Sequence, residues 1–196
     1  AIYVPLRPNS KDHNVPLFCP LDPLAKESLS FLYISALFQK NFVALLAKRN
    51  YSNLFLYHLI WAAQLYYEKE GVNYIHSIIL STILLIVADP KAASKLNEEF
   101  DRSLELKECK FQPPTNGSYT YGDLLLEVLL NFCQREAFLP SLICVFHMIA
   151  PHVNTFSILT ATRTMRVFEN IQNANKSYIS LFLEVFATIV QQKDNS

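Results

Sequence analysis

The sequence predicts an all-α protein of the irregular helical-repeat kind, an armadillo- or HEAT-like solenoid. Apolar residues recur at helical steps along most of the 196 residues. Only 3 glycines are present, too few for a hairpin-rich β fold or a Gly-rich phosphate loop. Hydrophobic residues make up 51% and charged residues 17%, enough for a large core and an apolar surface besides. No clean repeat period is present, so a compact irregular helical domain is the alternative.

Residues 1–23 are predicted to form an extended arm, and residues 24–196 the helical solenoid. Prolines exclude a continuous helix in the arm, at Pro5, Pro8, Pro16, Pro20 and Pro23. We expect the arm to pack on the domain through Ile2, Tyr3, Leu17 and Phe18. The pair Asp22-Pro23 is a typical helix start, with Asp as the cap and Pro in the first turn.

The first helices are predicted at 24–46 and 53–67. The segment 24–46 forms either one helix or two short helices broken near Asn41. In the second helix the apolar residues Leu56, Leu59, Ile60 and Ala63 recur at helical spacing.

The next predicted helix, 74–88, is apolar on nearly every side. Asn73 is placed to cap its start, and Asp89-Pro90 ends it and opens the following helix. Its length of about 22 Å is short of the roughly 30 Å of a bilayer core. We therefore expect it to be buried between neighbouring helices.

Further helices are predicted downstream, separated by one long loop at 107–122. The helix at 91–106 has Leu96, Phe100 and Leu104 on its apolar side, and the helix at 155–171 has Ile158, Ala161, Met165 and Phe168. The remaining helices are predicted at 123–135, at 140–150 and at 178–190. The side chains expected in the core are Leu84, Leu125, Leu129, Phe168, Phe182 and Phe186.

The sequence offers no chemistry typical of an enzyme, so we predict no catalytic residues, metal or cofactor. His147 and His152 are five residues apart across Pro151, which does not fit a zinc-protease helix. The net charge is zero, with 17 basic and 17 acidic residues, so nucleic-acid binding has no electrostatic basis. The four cysteines make no CxxC pair, which favours a reducing compartment.

The loop 107–122 is the predicted functional segment, because long loops in compact helical domains often bind partners. Phe111, Tyr119 and Tyr121 are the candidate partner-binding residues, since aromatic side chains are favoured at protein interfaces. The alternative is that these rings fold back onto the helices.

Several segments resemble the high-temperature-induced dauer-forming protein family, which is related to dymeclin. The segment Asn73-Tyr-Ile-His76 runs into SIILSTILLIV and is followed by Lys95-Leu96-Asn97. The resemblance continues upstream at Glu27-Ser-Leu-Ser-Phe-Leu-Tyr and Gln39-Lys-Asn-Phe-Val, and downstream at Asp123-Leu124-Leu125 and Leu181-Phe-Leu-Glu184-Val-Phe186. It covers about residues 24–190 but only a central part of a family member, and the loop 107–122 departs from the family pattern.

The resemblance implies a non-enzymatic helical scaffold or adaptor for proteins of secretory traffic, cytoplasmic and peripheral to Golgi membranes. The alternative function is a regulatory anchor that recruits one enzyme, such as a deubiquitinating protease, to the Golgi. The family's N-terminal Met-Gly myristoylation signal is absent from this sequence, so we expect membrane contact only through regions outside this fragment. An enzyme and a membrane-embedded protein are the remaining alternatives.

Overall fold

A computed structural model describes residues 20–48, 51–114, 117–132, 139–154 and 156–174, with isolated positions at 180, 183, 184 and 187. These residues are mostly helical, which confirms the all-α prediction. The arm at 1–19 and the side chains of Phe182 and Phe186 lie outside the described part, so the predictions for them stay predictions. The helices are α1 (Ala25–Phe38), α2 (Lys40–Lys48), α3 (Ser52–Glu70), α4 (Tyr74–Val87), α5 (Pro90–Ser94), α6 (Tyr121–Phe132), α7 (Leu139–Ile149) and α8 (Ile158–Ala174).

The first predicted helix is two helices, as the broken alternative expected, and the break falls at Gln39. Gln39 has φ −101° and ψ 87°, which is not helical, although its N–H still donates to the Ser35 carbonyl. At the start of α1, Asp22 Oδ1 accepts from the Leu24 N–H at 2.8 Å. The helix nevertheless begins at Ala25, with Leu24 as its N-cap residue and no side-chain cap, so the predicted Asp22-Pro23 start falls in the turn just before α1.

The predicted boundaries of α4 are also confirmed. Gly71 ends α3 with φ 69° and ψ −170°, a conformation that glycine adopts readily. Asn73 then caps α4: its Oδ1 accepts from the Ile75 N–H at 3.0 Å, and the Asn73 N–H donates to His76 Nδ1 at 3.1 Å. At the other end, the Asp89 carboxylate accepts backbone N–H groups at the start of α5.

The predicted helix at 91–106 is wrong. Helix α5 ends at Ser94, a single 3₁₀ turn covers Lys95–Asn97, and the chain then becomes extended at Glu98 with ψ 143°. Leu96 and Phe100 are buried as expected, but they reach the core from the turn and from an extended segment. Their spacing of four residues is typical of a helix, but here both side chains enter the core from non-α-helical backbone.

The predicted core side chains of α6 are confirmed: Leu125 and Leu129 are buried, whereas Leu84 in α4 is half-buried against the core. The predicted apolar side of α8 is wrong for the side chains that the structure describes. Ile158 and Met165 are exposed, and Thr160 and Thr164 are buried instead. The side chain of Phe168 lies outside the described part.

The helices contact each other in two rows. One row contains α1, α4 and α7, in which α4 packs against both neighbours. The other contains α3, α6 and α8, in which α6 packs against both neighbours. Contacts of α3 with α4 and of α6 with α7 join the rows, and the core lies between them.

Candidate functional site

The loop predicted at 107–122 spans residues 98–120 in the structure and is called the long loop from here on. Its two ends are joined by hydrogen bonds. The Phe100 N–H donates to the Tyr119 carbonyl at 2.8 Å, and the Tyr121 N–H donates to the Glu98 carbonyl at 3.2 Å. These two bonds form a short antiparallel bridge at the neck of the loop. A loop closed in this way is an Ω-like element of fixed position, not an open tail.

Side chains of helix α3 hold the outer part of the long loop by hydrogen bonds to the loop's backbone carbonyls. The Tyr57 hydroxyl donates to the Glu105 carbonyl at 2.7 Å, and Trp61 Nε1–H donates to the Lys107 carbonyl at 2.9 Å. Tyr57 and Trp61 are one helical turn apart, so they lie on the same face of α3. This face binds backbone carbonyls, which any loop sequence provides.

Glu68 continues this face and fixes the far end of the loop. Its carboxylate accepts the Lys110 N–H at 2.7 Å and the Phe111 N–H at 3.2 Å, and it also accepts from Gln64 Nε2 at 2.6 Å. Burial raises the pKa of the Glu68 carboxyl, but these hydrogen bonds together hold it below the ordinary value. Glu68 therefore binds the loop in its ionised form.

The three predicted partner-binding residues of the loop do not form an exposed aromatic surface. Tyr119 and Tyr121 are buried, and the Phe100 ring lies edge-on to both, with centroids 6.2 and 5.2 Å away. Phe111 is half-buried against the core. The alternative, that the rings fold back onto the helices, describes this conformation. In this conformation the rings of Tyr119 and Tyr121 belong to the core, and partner binding by the loop stays a prediction.

A buried carboxylate, Asp123, ties the loop to α6 and α8. Its Oδ2 accepts from both the backbone N–H and the hydroxyl of Thr120, at 2.9 and 3.0 Å. Its Oδ1 accepts the Ser157 N–H at 2.7 Å, just before α8 begins. Helix α6 begins at Tyr121, two residues before the predicted start at 123, so Asp123 lies in its first turn, bonds back to Thr120 and also positions α8.

A second buried carboxylate, Glu127, lies one turn further along α6. It accepts from the Thr160 hydroxyl at 3.2 Å and from Arg163 Nη1 at 3.4 Å. Arg163 also donates to Asn131 Oδ1 at 2.8 Å. Burial raises the pKa of Glu127, and the Arg163 charge opposes this shift. The contact of Glu127 with Arg163 was not predicted from the sequence. The signal for it was that Glu127 and Asn131, four residues apart, are polar positions in an otherwise apolar helix.

An open cavity of about 520 Å³ lies beside this polar contact. It is bordered by the loop and by the starts of α6 and α8, with Tyr119, Thr120, Asp123, Phe156, Ser157 and Leu159 among its lining residues. Both carboxylate oxygens of Asp123 are already bonded to protein groups.

Two histidines, His58 and His76, and one cysteine, Cys109, have structural positions. His58 Nδ1 lies 2.7 Å from the Leu54 carbonyl, and His76 Nε2 lies 3.2 Å from the Ala63 carbonyl. Burial lowers the pKa of both rings. Burial also raises the pKa of the Cys109 thiol to about 12, which disfavours its thiolate form. In the described part of the chain, no cluster of His, Cys, Asp or Glu is arranged to hold a metal.

Helix α1 is apolar on two opposite sides. Its inner side is buried against the core and consists of Ala25, Leu29, Leu32 and Ala36. The other side, here called the outer stripe, consists of Leu24 just before the helix and of Phe31, Ile34 and Phe38. These four residues are between 51% and 70% exposed. At 100° per residue, the two sets lie on opposite faces of the helix.

No protein-family model, curated protein or solved structure matches the chain. Among the described helices, none is by itself long and apolar enough to cross a membrane. Two bent pairs meet the criteria of length and composition when taken together. They are Ala25–Phe38 with Asn41–Lys48, bent by 102°, and Tyr74–Val87 with Pro90–Asn97, bent by 97°.

Proposed function

We propose that this protein is a non-enzymatic α-helical scaffold or adaptor that binds other proteins. The observation that carries the proposal is the outer stripe of α1. A helix that is apolar on both sides is typical of a helix packed between two layers, yet among the residues that the structure describes α1 has a packed layer on its inner side only. The outer stripe is therefore the surface best suited to a protein partner.

The exposed area of the outer stripe is large enough to matter. Taking roughly 200 Å² for a fully exposed large apolar residue, its four members leave on the order of 450 Å² in water. That area is within the range of the largest apolar patches on monomeric proteins, which are often functional. At about 25 cal/mol per Å², covering it is worth at most about 11 kcal/mol before the costs of association.

We propose further that the two helix rows are part of a degenerate armadillo- or HEAT-like stack. In such a stack each helix packs on the equivalent helix of the next unit, and an end helix keeps one packing face open. The contacts of α1 with α4 and of α4 with α7 follow this arrangement. The open face of α1 is then a direct result of its position at the edge of its row.

The place of action that we propose is the cytoplasmic side of Golgi membranes, in secretory traffic and cargo sorting. This part of the proposal is supported by the resemblance to the high-temperature-induced dauer-forming family. The resemblance includes the Asn73 and His76 positions, and these two residues make the reciprocal cap of α4. A framework pair of this kind supports a shared fold, and the proposed place of action rests on that resemblance.

The proposal is tested by proximity labelling in cells with the full chain and with a Phe31→Ser, Phe38→Ser variant. The matched control is Leu45→Ser, because Leu45 on α2 is 52% exposed and lies outside the outer stripe. We expect the double variant to lose its Golgi-associated protein neighbours while the control keeps them. Circular dichroism melts establish that both variants remain folded.

Two outcomes contradict the proposal in different ways. The same set of neighbours for the wild type and the double variant removes the outer stripe as the binding surface. A set of neighbours without Golgi proteins removes the proposed place of action. A single stoichiometric enzyme among the lost neighbours would instead favour the regulatory-anchor function.

A further inference from the structure

The spacing of the outer stripe is symmetric about its centre. Leu24 and Phe38 each lie seven residues from Phe31, and seven residues are almost two whole turns of an α-helix. The three side chains therefore lie nearly in line along α1, with a drift of only about 20° per seven residues. A surface with this symmetry is complementary to itself when a second copy is turned around.

From this symmetry we propose that the outer stripe pairs with the outer stripe of a second copy of this chain. The two α1 helices run antiparallel about a two-fold axis at Phe31. Phe31 then contacts the same residue of the other copy, and Leu24 contacts Phe38 in both directions, as an isologous interface requires. This inference rests on the proposed function, because it names the partner of the same surface.

Two of the residues beside the line of apolar side chains are small, and the exposed Glu27, four residues before Phe31, lies opposite Ser35 of the other copy in this pairing. Ser28 and Ser35 have short side chains, and both are half-buried on α1. Ser28 and Ile34 are related by the same antiparallel pairing, since both lie three residues from Phe31. The bulky isoleucine of one copy is thus opposite a small serine of the other.

Area and charge both favour self-association. Leu21 and Leu37 are further exposed apolar residues, in the turn before α1 and on α1. With the outer stripe they bring the available apolar area to on the order of 600 Å² per copy, which is the lower end of the roughly 600–1,000 Å² per partner of standard interfaces. The net charge of zero also produces no repulsion between copies.

Charge substitutions at the axis test this pairing, with the full chain studied by sedimentation velocity. We expect the wild type to dimerise at concentrations up to about 100 µM. Phe31→Glu and Phe31→Lys each place like charges in contact across the axis, so each variant should weaken the dimer by at least about thirtyfold. An equimolar mixture of the two variants should dimerise again, because the opposite charges then meet at Phe31.

The matched control is Leu45→Glu, an exposed apolar-to-acid change away from the axis, which should leave the dimer intact. Three outcomes overturn the inference: a monomeric wild type, a mixture that stays monomeric, or binding of the outer stripe to neutral lipid vesicles instead of a second copy. If the wild type is monomeric but the Phe31→Ser, Phe38→Ser variant still loses its cellular neighbours, only the self-pairing is overturned. The proposed function would then stand.

Discussion

Glu68 is the residue whose loss should loosen the long loop without unfolding the helices. Its carboxylate accepts two backbone N–H groups, at Lys110 and Phe111, and the substitution Glu68→Gln keeps its shape. The neutral amide offers one acceptor oxygen in place of two, so one hydrogen bond is lost and the other is weakened. A hydrogen bond to a charged group contributes about 1.5–3 kcal/mol, and a neutral one about 0.5–1.5 kcal/mol.

The expected loss is about 1.5 kcal/mol, the lower end, because Glu68 is only half-buried and water competes for its oxygens. A loss of this size corresponds to roughly tenfold faster local opening. Amide hydrogen exchange measured by NMR should show this increase at Lys110 and Phe111. Trp61 provides a second signal, because it is the only tryptophan and its indole N–H binds the loop at Lys107.

Glu70→Gln is the control, because Glu70 lies on the same helix but binds Lys26 and Asn73 instead of the loop. Exchange rates at Lys110 that stay within twofold of the wild type in Glu68→Gln would refute the reasoning. The lowered pKa of Glu68 gives a further expectation. The folded state favours the ionised form, so this contribution is full above the ordinary glutamate pKa and is lost as the pH falls through the lowered value.

Three other perturbations have defined outcomes. Leu129→Ala should reduce the free energy of unfolding by about 2–5 kcal/mol in urea melts, because Leu129 is fully buried. His58 and His76 have lowered pKa values, so the unfolded chain binds more protons than the folded one below the ordinary pKa of about 6.5. Stability should therefore fall between pH 7.5 and 5.5, by up to about 1.4 kcal/mol per pH unit for each ring. Arg163→Ala should cost about 3–5 kcal/mol at neutral pH, because it leaves Glu127 buried without its cation.

Each of these measurements has its own comparison. Leu84→Ala should cost less than Leu129→Ala, since Leu84 is half-buried, and the reverse order would contradict the assignment of the core. Equal urea stability at pH 7.5 and 5.5 would contradict neutral, buried histidines. The Arg163→Ala deficit should shrink at pH 5, because a protonated Glu127 needs no cation, and a deficit independent of pH would contradict that explanation.

The helix boundaries that local chemistry determines were predictable from the sequence. Asn73 and Asp89 cap α4 and α5 as expected, because a cap depends on residues within one turn. The break after α1 was one of two alternatives left open, and it falls at Gln39 instead of near Asn41. Such signals are contained in a few neighbouring residues.

The errors come from contacts that are distant in sequence. Leu96 and Phe100 looked helical, but the chain leaves the helix because Tyr119 and Tyr121 bond to the segment at 98–100. In α8 the apolar residues were expected to face the core. Thr160 faces inward instead, because a buried carboxylate, Glu127, offers it a partner that local periodicity does not reveal.

The surface proposed for partners was likewise outside the reach of local patterns. The aromatic residues of the loop looked suited to an interface, yet Tyr119 belongs to the core. The outer stripe of α1 was not predicted as a surface, because composition alone cannot show which of two apolar sides is covered. Only the position of α1 beside α4 distinguishes them.

The row that joins α1 to α4 has a consequence for synthesis of the chain on the ribosome. Between the end of α1 at Phe38 and the end of α4 at Val87 lie roughly fifty residues, which take about 3–10 s to translate at 5–20 residues per second. During that interval Leu29 and Leu32 lack the helix that later covers them. The nascent chain therefore presents an uncovered apolar helix for seconds, long enough for a chaperone to bind it before the first row can form.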